Sequence, residues 1–119
     1  MKNIKTYNLF ESLEYSDDWK RPGNPVREML EVELREILLE ITDLGYRPQL
    51  GGFVGRSESP YVWIKNGRRL QHDDFWIEIS DVVERIKEYL KDKGFKVRQE
   101  IINEGSSHEQ VYIYFDKIS

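Results

Sequence analysis

Residues 44–49 read LGYRPQ and residues 93–98 read KGFKVR; behind them, VWIK at 62–65 is answered by VYIY at 111–114. Both pairs stand 49 residues apart, Gly45 matching Gly94 and Val62 matching Val111. The same offset lays Leu34, Ile37 and Ile41 on Val83, Ile86 and Leu90. One shift therefore aligns an apolar helix stripe, the glycine that stops the helix, and both strands of the hairpin that follows. This predicts a helix–strand–strand unit used twice, with pseudo-repeats at 25–65 and 75–116. A single such unit buries little apolar surface, so two are expected to share one sheet and one core. The fold class that follows is α+β: a two-layer domain with two helices packed on one face of a mainly antiparallel sheet.

Local signals fill in the elements. Asn24 followed by Pro25 is a helix start, an Asx cap and then proline where its missing N–H costs nothing. From Val26 the residues Leu30, Leu34, Ile37, Leu38, Ile41 and Leu44 form one stripe, which predicts a helix over 25–44. Tyr46–Val54 and Pro60–Lys65 read as strands around GRSES, and KNGR at 65–68 as a further hairpin start. Phe75–Ile79 alternates and reads as an additional strand, with Ser80 or Asp81 capping a second helix and Glu84 in capping-box position. That helix carries Val82, Val83, Ile86, Tyr89 and Leu90 and stops at Gly94. Phe95–Ile102 and Gln110–Phe115 then close the chain as a hairpin around NEGSS. Residues 2–10 read as a short strand or amphipathic turn and EYSDDWKRPGNP as a connector. The domain organisation is thus a segment at 1–24 and one α+β domain at 25–119.

Composition bounds the function. The 119 residues suit one domain, with 39% hydrophobic and 34% charged residues and a formal charge of −4. That charge argues against a general nucleic-acid coat protein but leaves room for a local basic patch. There is no cysteine, so disulfides and thiolate metal sites are excluded, and two histidines make a poor basis for a zinc site. No stretch approaches the length of a membrane span, and the start has no apolar run of signal-peptide length. A soluble cytoplasmic protein with no cofactor, no metal and no membrane partner is expected.

Charge is unevenly spread. Between Gly45 and His72 stand Arg47, Arg56, Lys65, Arg68 and Arg69 against the single acid Glu58, together with Tyr46, Phe53, Tyr61 and Trp63. If Val62 and Ile64 face the helices, strand alternation puts Tyr61, Trp63 and Lys65 on the opposite, open face, and exposes Tyr112 and Tyr114 likewise. Arg47, Arg56, Tyr61, Trp63, Lys65, Arg68 and Arg69 are therefore the candidate binding residues. Two partners fit: a protein contacting the aromatic patch, or single-stranded nucleic acid or a nucleotide using cations for phosphate and rings for bases.

Other motifs carry less. GGFVGR at 51–56 lacks the Gly-Lys-Ser/Thr ending of a phosphate loop, and its glycines read as a bulge or twist. His72, Asp73 and Asp74, with His108 and Glu109, have the chemistry for a metal or for acid–base work, provided they converge. A metal-dependent enzyme is the third reading, behind the two binding readings. On the first helix, Val32 and Leu39 lie opposite the main stripe on an acidic face and are candidates for self-association as a homodimer.

The opening MKNIKTYNLFESL resembles the starts of small proteins encoded by large tailed bacteriophages, where an MK-x-x-K-x-(Y/F)-x-x-F-E-S segment is common. The match covers about a dozen residues. In some of those phages such segments direct internal proteins into the prohead and are removed after Leu-x-Glu or Ile-x-Glu. Leu9-Phe10-Glu11 fits that tripeptide, as do Leu34-Arg35-Glu36, Leu38-Leu39-Glu40 and Ile102-Asn103-Glu104. The resemblance implies a phage-encoded protein, in the host cytoplasm or the virion; with the binding readings above, the expectation is a non-enzymatic phage accessory protein that binds a host factor or itself.

Overall fold

Pro25 opens the first described helix, α1 (Pro25–Thr42), and the Asn24 side chain accepts the Val26 N–H at 2.9 Å. Val26, Leu30, Leu34, Leu38 and Ile41 are buried along one side of it, three or four residues apart. Its end is a Schellman pair: Gly45 N–H donates to the Thr42 carbonyl at 3.0 Å and Tyr46 N–H to the Ile41 carbonyl at 3.1 Å. Gly45 stands at φ +104°, a left-handed conformation that glycine adopts without a Cβ clash. The motif also pulls Tyr46 into the core, where it is 3% exposed.

A computed structural model describes residues 18–53 and 59–117. The expected strand or turn at 2–10, the Leu9-Phe10-Glu11 tripeptide and Arg56 lie outside the described residues. After α1 come β1 (Gln49–Gly51) and β2 (Tyr61–Lys65), then α2 (His72–Asp92), β3 (Phe95–Ile102) and β4 (Gln110–Lys117). The sheet order is β1-β2-β4-β3, all neighbours antiparallel. Both helices bury their stripes against the same face, made by Val62, Ile64, Phe95, Val111, Ile113 and Phe115. This is the two-layer α+β architecture expected, with the element order α–β–β running twice along the chain. The helices are tied to each other by Arg85–Glu40 and by the Tyr89 hydroxyl on Glu33.

Three local readings are corrected. Phe75–Ile79 is not a strand but part of α2, which begins at His72 with Gln71 as N-cap. Phe75 and Ile79 lie on one side of a helical turn and are fully buried, whereas Ile77 between them is 74% exposed. Alternation at 75, 77 and 79 thus concealed an i, i+4 pair that continues through Val82, Val83, Ile86 and Leu90. Ser80 and Asp81 are accordingly exposed mid-helix residues, not caps. KNGR starts no hairpin. The Asn66 side chain bonds Leu70 through both its atoms, accepting Leu70 N–H at 3.0 Å and donating to its carbonyl at 2.8 Å. That clamp turns the chain from β2 directly into α2.

The connector also contributes to the core. Trp19, in a 3-10 turn at Asp18–Lys20, is 1% exposed and packs its ring against Phe53, Phe95 and Phe115. The first expected strand shortens to β1, because Tyr46 is spent on the helix end.

Candidate binding face and a buried carboxylate

Alternation along β2 and β4 sorts their side chains between two faces. Val62, Ile64, Val111, Ile113 and Phe115 are buried under the helices, while Tyr61, Trp63, Tyr112 and Tyr114 are half-buried on the other side. The register sets Tyr61 opposite Tyr114 and Trp63 opposite Tyr112. The four rings form one cluster: Trp63 and Tyr112 stack within 16° of parallel at 5.9 Å, and Tyr112 and Tyr114 within 11° at 5.7 Å. Tyr61 meets both tyrosines edge-on, at 5.3 and 5.7 Å. None of the four belongs to the core, and no described helix lies over them.

The cluster is held from its edges. Trp63 Nε1 donates to Gln110 Oε1 at 2.9 Å. Arg98 on β3 stands opposite Tyr114 and lays its guanidinium over that ring, 4.3 Å from the centroid. On the β1 side, Tyr61 lies across Gly51: a Cβ there would come within 2.6 Å of the tyrosine oxygen, so the missing side chain makes room for the ring. Burial among its neighbours, with Glu100 nearby, pushes the Tyr114 hydroxyl above its ordinary pKa. Strand parity gives this face the cations Lys65, Lys96 and Arg98 and the carboxylates Glu100 and Asp116. Beside it a depression of about 460 Å³ is lined by Ser59, Lys96, Arg98, Tyr114 and Asp116.

The candidate binding residues do not all gather here. Tyr61, Trp63 and Lys65 share the open face. Arg68 instead donates to Glu78 Oε1 on α2 at 2.7 Å, and the Tyr46 hydroxyl donates to the same oxygen at 2.7 Å. Burial and that carboxylate hold Tyr46 well above the usual tyrosine pKa. Arg69 is exposed in the Asn66 turn, and Arg47 is exposed between α1 and β1. Arg98, Glu100 and Gln110 were not among the candidate residues. Their place on the face follows from β3 and β4 being neighbours, which no local pattern states. Val32 and Leu39 are exposed on α1, at 57% and 55%.

A second polar site joins β4 to α2. Glu109 is fully buried; its Oε1 is 2.8 Å from His72 Nδ1 and its Oε2 accepts Trp76 Nε1–H at 2.7 Å. The Glu109 backbone carbonyl accepts the Asn66 N–H at 2.9 Å. The hydrogen bond to Glu109 raises the His72 pKa above its ordinary value, with Asp73 and Glu104 adding to the effect. Asp73 and Asp74 are exposed in the first turn of α2, where acids favour the helix N-terminus. His108 is exposed, and among the described residues no group of three metal-ligating side chains converges. No described helix is long and apolar enough to cross a membrane.

No protein-family model matches this chain, and no curated protein or solved structure matches it either.

Proposed function

We propose that this protein is a binding module whose open sheet face, built on Tyr61, Trp63, Tyr112 and Tyr114, takes a protein partner. The carrying observation is that the two central strands turn four aromatic side chains away from the core into one cluster. Large rings with few rotatable bonds and polar tips are the side chains that protein interfaces concentrate. Their stacking on each other occupies flat surface that a nucleobase would need. With three cations against two carboxylates among the described residues, the face has little excess charge for phosphate. The same reading takes the two α–β–β runs as copies of one unit, since the central register sets Trp63 opposite Tyr112, its counterpart at the 49-residue offset. The resemblance at the N-terminus would make the module a phage accessory protein.

A photo-crosslinking residue placed at Tyr112 or Tyr61, in cells that make the protein, should yield the same discrete adduct, and one at Glu88 on α2 none. Adducts from Glu88 alone would overturn the proposal. The nucleic-acid reading keeps one favourable observation, the Arg98 guanidinium over Tyr114 beside Lys65 and Lys96. Titration with a labelled single-stranded oligonucleotide at low salt decides it: phosphate contacts would give affinity that falls steeply as salt rises. No binding at low salt removes it.

A further inference from the structure

β3 is an edge strand of eight residues, and among the described residues nothing pairs with its outer side. We propose that this edge pairs antiparallel with β3 of a second copy, on a two-fold axis through Gln99, joining the two four-stranded sheets into one. The proposal uses the outer backbone edge of β3 with two charges at the border of the aromatic face, and it does not rest on that face taking a protein partner.

Register decides which residues meet across such an edge. A two-fold axis perpendicular to the sheet keeps each side chain on its own face, so residues of equal parity must oppose each other and the axis must pass through a residue. Around Gln99 the strand reads Val97-Arg98-Gln99-Glu100-Ile101: apolar, basic, polar, acidic, apolar. An axis at Gln99 sets Arg98 opposite the partner's Glu100, twice by symmetry, on the open face. It also sets Val97 opposite the partner's Ile101 on the helix face, and both are only half-buried in the single chain. Shifting the axis to Arg98 opposes two arginines, and shifting it to Glu100 opposes two glutamates. At Val97 it would oppose Lys96 and Arg98. Like charges directly opposite are unfavourable and opposite ones favourable, so the axis at Gln99 is favoured over these three neighbouring ones.

Arg98 and Glu100 can make the exchange once the Arg98 guanidinium swings off the Tyr114 ring. Both are exposed, and within the chain they approach each other only to 3.9 Å, a loose pair along the same strand. Charges on an edge also serve to discourage pairing. Here the two signs sit symmetrically about a polar centre, which makes the edge complementary to itself. In the dimer the two β4 strands lie three strand spacings apart, about 14 Å. Both aromatic clusters then face the same way, so a partner with two matching sites gains avidity.

Sedimentation velocity of the full chain over a concentration series tests this. The wild type should dimerise as concentration rises, and its β3 amides should become protected from hydrogen exchange in parallel. Arg98→Glu alone and Glu100→Arg alone should each weaken dimerisation about tenfold or more, by turning both cross-strand pairs repulsive. The double variant Arg98→Glu/Glu100→Arg should restore it, and mixing the two single variants should give a heterodimer. Val32→Glu/Leu39→Glu should leave the dimer intact. A wild-type chain that stays monomeric overturns the proposal. So does a dimer indifferent to the single reversals, or one broken by the Val32/Leu39 pair.

Discussion

The two faces of the central strand pair are made by alternate residues of the same ten positions, yet they are built on different chemistry. Under the helices stand Val62, Ile64, Val111 and Ile113, branched aliphatics with no exposed surface. One residue along, on the open side, stand Tyr61, Trp63, Tyr112 and Tyr114, all half-buried and polar-tipped. Aliphatics interlock with helix stripes and gain from complete removal from water. Tyrosine and tryptophan supply apolar area while tolerating a wet end. A chain that needed its open face only to be solvated would alternate aliphatic with charged residues. The aromatic choice separates a face made for stability from one made for contact.

The sharpest way to break this comparison is at neighbouring positions of β4. Ile113→Ala removes methylenes from the fully buried face and should cost about 2–5 kcal/mol in urea unfolding. Glu109, just ahead of β4, is a charged group fully buried on this side, and its loss leaves the Trp76 N–H without its acceptor. Glu109→Ala should therefore cost about 1–3 kcal/mol, the penalty of an unpaired buried group. Tyr112→Ala, on the open side, should cost about 1 kcal/mol, since it loses aromatic pairing but opens no cavity in the core. It should nevertheless abolish the crosslink from position 61. Equal destabilisation by Ile113→Ala and Tyr112→Ala would mean the two faces do the same work.

The smallest effect is in pH. His72 binds its proton more tightly in the folded chain than at its ordinary pKa of 6.5, because Glu109 accepts from it. Its contribution is then fully present below pH 6.5 and is lost as pH rises through the raised folded value. Melting temperature followed upward from that pH should fall more in the wild type than in His72→Gln. Parallel curves would show that the imidazole contributes nothing there.

How much of this was legible follows from the range of each signal. Helix α1 was readable at both ends, because Asn24, Pro25 and Gly45 act on their nearest neighbours. β3 and the aromatic alternation of β2 and β4 were readable for the same reason. The start of α2 was not, since Phe75, Ile77 and Ile79 satisfy a period of two and Phe75 with Ile79 also satisfies a helical turn; only the burial of Ile79 and exposure of Ile77 decide. Trp19 lay hidden in a stretch whose Asp, Pro and Gly speak for a loop. The contact of His72 with Glu109 spans 37 positions, and it exists because the Asn66 clamp brings the start of α2 beside β4. Sequence named both residues but had no means of joining them.

Trp19 has one more consequence. Among the described residues its indole N–H is buried with no hydrogen-bond acceptor, whereas Trp63 donates to Gln110 and Trp76 to Glu109. The chain's three tryptophans thus occupy an apolar interior, an aromatic surface and a carboxylate contact. Excited by ultraviolet light, the first should emit at the bluest wavelength and shift red only when the interior opens. Trp63 should instead register an occupant arriving on the sheet, giving each event its own optical signal in the unlabelled protein.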